Sequence, residues 1–229
     1  MKVKVAPGGV AADWITGQFA PGAVLWKEKL SSREQGDLLE EVLARVETAP
    51  FYRPTMPKSG QPLSVEMTNF GALGWITDRH GYRYEARHPV THLPWPAIPE
   101  RVLALWRELS FYGADPEACL VNRYRGAARM GLHRDVDEDA HDAPVLSISL
   151  GDSARFCFGG LDRKSPVRSM VLDSGDVLVF GGPARLAYHG IARIYPGSSA
   201  LVPGGGRINL TARRVRVPAG QSAGAKKPD

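Results

Sequence analysis

Hydrophobic positions in the first half of the chain recur with the period of an α-helix. Ser31 and Glu34 have the spacing of a capping box, so a helix is expected to begin after Ser31. A second apolar stripe occupies residues 99–109, and Gly113 lies beyond it as a stop signal. Both stripes predict amphipathic helices that pack one face against a core. Their apolar positions are Leu38, Leu39, Val42, Leu43 and Val46 in the first and Val102, Leu105, Trp106 and Leu109 in the second.

From Cys119 onward the pattern changes to short runs that are typical of β-strands. Gly, Pro and Asp separate the runs, and no amphipathic helix intervenes between them. This spacing predicts an antiparallel sandwich or jelly roll rather than a parallel α/β sheet. The predicted fold class is therefore mainly β (α+β), with helices flanking a jelly-roll core. The runs cover residues 119–124, 144–150, 154–158, 168–172, 176–180 and 207–215.

Composition and the ends of the chain narrow the class of protein. Of 229 residues, 43% are hydrophobic and 23% are charged, which excludes a disordered or collagen-like chain. No apolar run approaches the roughly 20 residues of a membrane span, so no membrane association is expected. The start of the chain lacks the apolar block of a secretory signal, so we expect a cytoplasmic protein. Residues 1–217 are predicted to form one domain, and 218–229 a disordered tail.

Charge and aromatic content single out the segment between the two helices. The net charge of +5 is compatible with a polyanionic partner but does not require one. Within residues 51–90 the bases outnumber the acids, and aromatic residues are interleaved with the arginines. Such a segment could stack nucleobases and contact phosphates. A loop-rich cover packed by its own aromatic residues explains the pattern equally well.

Three side chains are candidate ligands of a metal ion. His133 and Asp135 form an H-x-D pair, and residues two apart on an extended chain face the same side. An antiparallel return after the run at 176–180 could bring His189 alongside them. Two imidazoles and one carboxylate, with positions left open, suit non-haem Fe(II) chemistry. Taken singly, each histidine could instead be an ordinary polar residue. The remaining histidines, His80, His88, His92 and His141, are expected at the surface.

Other site types are less well supported by the sequence. The run DVDED offers carboxylates at the first, third and fifth positions of a calcium loop, but Ala140 and Leu146 stand where that loop needs Gly and Glu. The sequence contains no G-x-S-x-G nucleophile elbow of serine hydrolases, no phosphate-binding loop ending in GK[ST], and no HExxH zinc motif.

The run RINLTAR places four polar side chains on one face of a strand. They are Arg207, Asn209, Thr211 and Arg213. Two arginines on that face could bind a dicarboxylate through bidentate hydrogen bonds. The alternative is a solvated basic strand at the edge of a sheet.

Taken in order along the chain, these motifs resemble the AlkB family of Fe(II)/2-oxoglutarate dioxygenases, in particular its bacterial DNA-repair branch. The resemblance rests on the series N-x-Y, H-x-D, His and R-x-N-x-x-x-R, and on the runs MTNFGALGW, GYRY, PWPAIP, CLVNRY and FCFGGLDR. It implies a double-stranded β-helix, which is a jelly-roll variant, with buttressing helices. It also implies Fe(II), with 2-oxoglutarate and O₂ as co-substrates, and a nucleotide-recognition lid over about 51–90.

The resemblance also assigns roles to individual residues. As catalytic metal ligands it implies His133, Asp135 and His189. Around 2-oxoglutarate it implies Leu120, Asn122, Tyr124, Ser147, Arg207, Asn209 and Arg213. As contacts to the substrate base or its strand it implies Trp75, Tyr82, Tyr84, Asp137 and Arg163. The chain departs from the family pattern at Gly131, Phe180, Ile208 and Ala212, which bears on pocket shape and substrate breadth.

The implied function is oxidative dealkylation of bases such as 1-methyladenine and 3-methylcytosine, with release of succinate, CO₂ and formaldehyde. Alkylated DNA, preferably single-stranded, is the expected partner, with RNA as a further possibility, and the enzyme is expected to be a monomer. Two alternatives stay open at this stage. One keeps the iron chemistry and changes the substrate to RNA, a protein or a small molecule. The other is a non-catalytic β-sandwich binding module.

Overall fold

Thirteen strands and two α-helices occupy residues 16–219, the part of the chain that the computed structural model describes. The helices are α1 (Ser32–Val46) and α2 (Glu100–Leu109). The strands are β1 (Thr16–Ala20), β2 (Ala23–Trp26), β3 (Glu66–Gly71), β4 (Gly74–Asp78), β5 (Gly81–Glu85), β6 (Ala118–Tyr124), β7 (Met130–His133), β8 (Val145–Gly151), β9 (Ala154–Phe158), β10 (Arg168–Leu172), β11 (Val177–Phe180), β12 (His189–Ile194) and β13 (Arg207–Arg213).

The strands form two main antiparallel sheets and a separate hairpin. The larger sheet has the order β1-β2-β11-β8-β13-β6-β3, and the smaller has the order β10-β9-β12-β7. Strands β4 and β5 pair only with each other within the described residues. Neighbours in the sheets are often distant in sequence, as expected of a jelly roll. The predicted mainly β fold with a jelly-roll core is confirmed.

Two hydrophobic layers hold these elements together. Side chains from both main sheets meet in an inner layer that includes Met67, Phe156 and Phe180. The opposite face of the larger sheet packs against α1 and α2 in an outer layer, where Trp106 is fully buried. The helices therefore cover one face of the larger sheet and leave its other face for the smaller sheet and the site between them.

Both helices lie where the apolar stripes predict them. Ser31 caps α1: its Oγ accepts from the backbone N–H of Glu34, and its own N–H donates to Glu34 Oε2 at 2.8 Å. Helix α2 buries Val102, Leu105 and Trp106 on one stripe. The capping box and the 3.6-residue period are local signals, which explains why these boundaries could be predicted closely.

The fold contains strands that the sequence pattern did not reveal. Strand β3 lies within the segment 51–90 and yet pairs with β6 in the larger sheet. It has no two-residue alternation, because Met67, Thr68, Asn69 and Phe70 are all buried. The hairpin β4–β5 is the part of 51–90 that stands apart from both main sheets. Of the predicted tail, only the first two residues lie within the described range.

The charged strand β13 is internal, so the interpretation as a solvated basic edge strand is wrong. It lies between β8 and β6, and Arg207 is completely buried. Its odd-numbered polar residues face the smaller sheet, while Ile208, Leu210 and Ala212 pack in the outer layer beneath the helices. The surface prediction for His88 is also wrong. Its ring is buried against Trp95, and its Nε2 lies 2.8 Å from the carbonyl oxygen of Pro50.

Candidate active site

The three candidate metal ligands converge where β7 ends beside the start of β12. His133 is the last residue of β7, His189 is the first of β12, and the two are register partners. One ligand atom from each of His133, Asp135 and His189 lies within 4.8 Å of the other two. The Nε2 atom of each imidazole is 3.8 Å from a carboxylate oxygen of Asp135. A facial set of two imidazoles and one carboxylate is typical of non-haem Fe(II) oxygenases.

Backbone carbonyls orient both imidazoles toward this point. Nδ1 of His133 lies 3.0 Å from the carbonyl oxygen of Gly131, and Nδ1 of His189 lies 2.9 Å from that of Ala187. A carbonyl oxygen can only accept, so Nδ1 carries the proton in both rings. The lone pair of each Nε2 is therefore free to bind a cation, and the carbonyl on Nδ1 is the second-sphere partner that metal-binding histidines use.

The surroundings keep Asp135 and His189 in the protonation states that bind a cation. Burial would raise the pKa of Asp135, but Arg213 and the two imidazoles outweigh it and hold that pKa well below its usual range. Nη2 of Arg213 lies 2.9 Å from Asp135 Oδ2. Burial, together with repulsion from His133, lowers the pKa of His189 to about 4. Asp135 is thus a carboxylate and His189 a neutral base at neutral pH.

A polar cavity between the two sheets, the inner cavity, opens onto the metal ligands. Its lining includes His133 and His189 at one end and Arg207 at the other. Six of the seven residues predicted around 2-oxoglutarate line it, and Leu120 does not. Leu120 packs instead in the core between the sheets. The six lining residues are Asn122, Tyr124, Ser147, Arg207, Asn209 and Arg213.

Arg207 supplies a buried positive charge with unused hydrogen-bonding capacity. Its Nη2 donates to Ser149 Oγ at 2.7 Å, and Nη1 donates to backbone carbonyls. Nε is buried and has no partner among the described residues, and the same holds for Oδ1 of Asn122. Burial lowers the pKa of Arg207 to about 10, so the guanidinium stays charged at neutral pH. A carboxylate-bearing ligand could accept a hydrogen bond from the unpaired Nε of Arg207.

Hydrogen bonds along β13 and β8 fix the polar side chains of the inner cavity. Asn209 Nδ2 donates to Ser147 Oγ at 2.7 Å, and Thr211 Oγ1 donates to Asn209 Oδ1 at 2.9 Å. Arg207 and Arg213 lie at opposite ends of the same strand. Together they place positive charge at both ends of the cavity, which suits a dicarboxylate with one end beside the metal ligands.

A second and larger pocket, the outer pocket, adjoins the metal ligands from the side of the hairpin. It has a volume of about 390 Å³ and is open to solvent. Trp75 and Tyr82 of the hairpin line it, as do Arg129, Arg134 and Asp137. His133, Met130 and Arg213 line both cavities, so the cavities meet at the metal ligands.

Trp75 presents a fixed aromatic face in the outer pocket. Its Nε1 donates to Asp137 Oδ2 at 2.8 Å. Its ring stacks with that of Tyr82, with the centroids 5.6 Å apart and the planes 17° from parallel. The carboxylate of Asp137 thus lies at the edge of the indole ring and helps to fix it in the pocket.

Two of the predicted substrate residues lie outside this pocket. The Tyr84 hydroxyl donates to Glu138, and its side chain borders a neighbouring cleft with Asp137 and Asp139. The guanidinium of Arg163 lies 5.8 Å from the ring centroid of Tyr188, on a loop that lines neither cavity. The structure thus brings Trp75, Tyr82 and Asp137 together and places the other two nearby.

Sequence reasoning missed a buried pair next to the metal ligands. Glu138 and Arg185 are each only 2% exposed, and Arg185 Nη2 donates to Glu138 Oε2 at 3.1 Å. Nη1 of Arg185 also donates to the backbone carbonyl of Asp135. The adjacency of Glu138 to Asp137 was a weak signal. Arg185 sits in a turn far along the chain, and no local pattern marked it.

The four departures from the family pattern fall on two sides of the larger sheet. Gly131 lines the outer pocket, and Phe180 lines the inner cavity. Ile208 and Ala212 are buried in the outer layer beneath the helices and line neither cavity. Only Gly131 and Phe180 can therefore affect pocket shape directly.

Comparison with known proteins agrees with this geometry. The profile of the 2OG-Fe(II) oxygenase superfamily matches residues 22–213. The chain is 56% identical over 199 residues to the alpha-ketoglutarate-dependent dioxygenase AlkB homolog of Caulobacter vibrioides, a match that covers 86% of this chain and 89% of that protein. It is 38% identical over 209 residues to the alpha-ketoglutarate-dependent dioxygenase AlkB of Escherichia coli, covering 90% and 95% of the two chains.

Solved structures lead to the same superfamily. The structure titled "The structure of OsALKBH1" superposes with a TM-score of 0.74 at 31% identity, covering 87% of this chain and 99% of that one. Within the described residues, no helix has the length and apolar character needed to cross a membrane. The chain therefore belongs to the 2OG-Fe(II) oxygenase superfamily and, within it, to the AlkB dioxygenases, which makes it an enzyme that depends on Fe(II) and 2-oxoglutarate.

Proposed function

We propose that this dioxygenase removes alkyl groups from ring nitrogens of nucleobases in DNA, with 1-methyladenine and 3-methylcytosine as the type substrates. The observation that carries the proposal is the outer pocket. It sets an aromatic face, a carboxylate and the metal ligands around one space that is open to solvent. Relatives have names that agree with such a substrate, among them the DNA N(6)-methyladenine demethylase ALKBH1D of Arabidopsis thaliana and the nucleic acid dioxygenase ALKBH1 of mouse.

In this proposal the metal ligands are His133, Asp135 and His189, and the inner cavity holds 2-oxoglutarate. One carboxylate of the co-substrate accepts hydrogen bonds from Arg207, and the other end lies toward Arg213 and the metal ligands. When bound, Fe(II) and 2-oxoglutarate supply the oxidation of an N-methyl carbon by O₂, with succinate and CO₂ as co-products. The hydroxylated methyl group leaves the base as formaldehyde.

Charge explains how the outer pocket would select a damaged base. A base methylated on a ring nitrogen is a cation, and stacking on Trp75 adds about 0.5–2 kcal/mol of cation–π attraction. The Asp137 carboxylate, fixed by its bond from Trp75 Nε1, can accept a charge-assisted hydrogen bond from the exocyclic amine. A neutral base would gain neither contribution in full. The pocket therefore favours cationic lesions over normal bases.

The rim of the outer pocket is positively charged, in contrast to the Asp137 carboxylate inside it. A positive rim suits the phosphate backbone of a nucleic-acid substrate. Arg129 and Arg134 line the mouth, and no described ion pair involves either guanidinium. Next to this rim, the guanidinium carbons of Arg134 and Arg163 lie 5.1 Å and 5.8 Å from the ring centroid of Tyr188. The rim and the surface beside it therefore combine guanidiniums with an aromatic ring. Arginines and aromatic rings together form the usual surface for a single strand.

Single-stranded DNA is the preferred form in this proposal. The target base must leave its stack to reach the metal ligands, which costs a few kcal/mol in a duplex and less in a single strand. Of the predicted lid over about 51–90, the β4–β5 hairpin stands apart from both main sheets and would close over the extruded base. We also propose that the enzyme acts as a monomer.

Mass spectrometry of defined oligonucleotides tests this function. The Fe(II)-loaded protein is incubated with 2-oxoglutarate, O₂ and a single-stranded DNA oligonucleotide that carries one 1-methyladenine. We expect loss of the methyl group, with one succinate and one formaldehyde formed per base repaired. The same oligonucleotide annealed to its complement should react more slowly. An oligonucleotide carrying N6-methyladenine, which is neutral, should react more slowly still.

Two controls decide what a negative result means. The His133→Ala variant should show no repair while keeping the circular dichroism spectrum of the parent protein. Repair of an RNA oligonucleotide at a higher rate than DNA would contradict the DNA assignment. Absence of turnover on every methylated oligonucleotide, with 2-oxoglutarate still bound, would contradict the proposed substrate class altogether.

A further inference from the structure

Two hydrogen bonds tie the β4–β5 hairpin to the segment that follows the metal ligand Asp135. Trp75 and Tyr84 are direct cross-strand partners in the hairpin. Trp75 Nε1 donates to Asp137, and the Tyr84 hydroxyl donates to Glu138. Adjacent acids therefore receive bonds from adjacent aromatic residues. This two-point contact fixes the hairpin against residues 135–138 in position and in orientation.

Glu138 differs from Asp137 because it also contacts the interior of the site. Its side chain is 2% exposed, so each carboxylate oxygen must be satisfied within the protein. Oε2 accepts from Arg185 at 3.1 Å, and Oε1, which accepts from Tyr84, lies 3.5 Å from Nε of Arg213. One buried carboxylate thus joins the hairpin to the arginine beside Asp135.

Arg213 is the group through which this contact reaches both cavities. Its Nε donates to Asp135 Oδ2 at 3.0 Å, and Oε1 of Glu138 lies 3.5 Å from the same nitrogen. It lines the inner cavity and the outer pocket. If the charge of Glu138 were lost, Arg213 would face Asp135 alone, and its hydrogen bonds would compete more strongly with a metal ion for that carboxylate.

From these contacts we propose that Glu138 is a positioning residue that couples closure of the hairpin to the binding of 2-oxoglutarate. Through the same oxygen, Oε1, Glu138 contacts Arg213 and accepts the hydrogen bond from Tyr84 of the hairpin. Binding of a methylated strand under the hairpin stabilises the Tyr84–Glu138 contact and so fixes Arg213 for the co-substrate. The inference rests on the proposed function, because the strand is the ligand that closes the hairpin.

Coupling of this kind is reciprocal. If the methylated strand tightens 2-oxoglutarate binding by some factor, 2-oxoglutarate must tighten binding of the strand by the same factor. Coupling between two sites in one protein is typically about 5- to 150-fold. We expect the wild-type enzyme to lie toward the lower end of this range, since one hydrogen bond and one ion pair carry the contact.

Calorimetric titration measures this coupling without turnover. 2-Oxoglutarate is titrated into Mn²⁺-loaded protein in the absence of O₂, with and without a saturating single-stranded oligonucleotide that carries 1-methyladenine. We expect the strand to lower the Kd for 2-oxoglutarate at least about fivefold. In Tyr84→Phe, which keeps every charge in place, the strand should change that Kd by less than twofold, while the Kd without the strand stays near the wild-type value.

The control for this variant is Tyr112→Phe, which removes a tyrosine–carboxylate hydrogen bond elsewhere. The Tyr112 hydroxyl lies 3.1 Å from Asp142, away from both cavities. This variant should keep the wild-type coupling. If Tyr84→Phe also keeps it, the proposal is wrong.

Glu138→Gln tests the inner half of the contact. We expect its Kd for 2-oxoglutarate to rise at least about fivefold even without the strand, and the coupling to disappear, because Arg213 loses its second carboxylate. Its effect on coupling should not add to that of Tyr84→Phe, since both act on one contact. Glu117→Gln is the matched control. Glu117 is a buried carboxylate bonded to Arg216, and it lines neither cavity, so its loss should lower thermal stability and leave the coupling unchanged.

The outcomes separate this inference from the proposed function. If the oligonucleotide is repaired but does not affect the Kd for 2-oxoglutarate, the coupling is refuted and the function stands. If the oligonucleotide neither binds nor reacts, the function fails. In that case an unchanged Kd in Glu138→Gln would also refute the positioning role, because that measurement needs no strand.

Discussion

The two cavities that meet at the metal ligands are built in different ways. Walls of the inner cavity come from strands in fixed register, and its key cation, Arg207, is completely buried. The outer pocket lies between a separate hairpin and the segment 129–138, and it is open to solvent. Backbone pairing thus fixes the co-substrate site, whereas a few side-chain bonds, such as Trp75 to Asp137, fix the substrate site. The small co-substrate therefore binds between sheet strands in fixed register. The nucleic acid binds beside a hairpin that only a few side-chain bonds hold.

The largest effect should come from removing the buried cation of the inner cavity. Arg207→Met is expected to weaken 2-oxoglutarate binding by at least about 100-fold, because a buried carboxylate would lose its charged partner. Thermal stability without co-substrate should stay level or rise, because Arg207 is desolvated and hydrogen-bonds only neutral groups. Calorimetry and thermal unfolding measure the two effects. A variant that is destabilised but binds 2-oxoglutarate normally would show that Arg207 is structural.

The buried His189 imidazole at the junction of the cavities should make stability depend on pH. Burial lowers the pKa of His189 from 6.5 to about 4, so between these values the unfolded chain binds a proton that the folded chain does not. The unfolding free energy of the metal-free protein should therefore fall by about 3 kcal/mol as the pH drops from 6.5 to 4. Above pH 6.5 this contribution to stability is fully present. Urea titrations across this range measure it. His189→Gln should flatten this part of the profile, and an equally steep slope in that variant would assign it to other groups.

Removing the aromatic face should affect the outer pocket alone. Trp75→Ala is expected to raise KM for a methylated oligonucleotide by about 10- to 100-fold, which corresponds to one lost base–aromatic stack. Binding of 2-oxoglutarate without the strand should change less than twofold. Trp75→Phe keeps a stacking ring but loses the bond to Asp137. Its KM for the methylated oligonucleotide should therefore lie between those of the wild type and Trp75→Ala. If Trp75→Ala weakened 2-oxoglutarate binding as much as it weakened use of the oligonucleotide, the assignment of separate ligands to the two cavities would be contradicted.

The smallest effect should come from the rim. The double variant Arg134→Ala, Arg163→Ala is expected to raise KM for a methylated oligonucleotide severalfold and to leave turnover of a methylated mononucleoside unchanged. If each guanidinium contacts one phosphate, the slope of log Kd against log salt should fall by about 0.7 per arginine for a single strand. Binding at several salt concentrations provides the measurement. An unchanged slope would place the strand elsewhere on the surface.

The same contrast explains how much of the molecule could be predicted from its sequence. Helix α1 follows from its capping box, and the polar face of β13 follows from its two-residue period. Both signals are local. The H-x-D spacing and an expected antiparallel return made His133, Asp135 and His189 candidate ligands, and the resemblance to a family then assigned them as a set. The fold brings their ligand atoms within 4.8 Å of one another. Long-range pairing of β7 with β12 carries that geometry, and no local pattern encodes such a pairing.

The features that were missed depend on contacts between distant segments. The hairpin strands β4 and β5 lie among loop-forming residues and are held by bonds from Trp75 and Tyr84 to a segment more than 50 residues away. Strand β3 is buried on both faces, which removes the alternation that marks a half-buried strand. Arg185 meets Glu138 across 47 residues of chain. These are tertiary contacts, which only the folded chain defines.

A crystal structure of the protein with Mn²⁺ and 2-oxoglutarate, grown without O₂, tests the central claim most directly. We expect one metal ion bound by His133, Asp135 and His189, with 2-oxoglutarate in the inner cavity and its far carboxylate on Nε of Arg207. A metal ion held by other side chains, or 2-oxoglutarate bound in the outer pocket, would contradict the assignment of the two cavities.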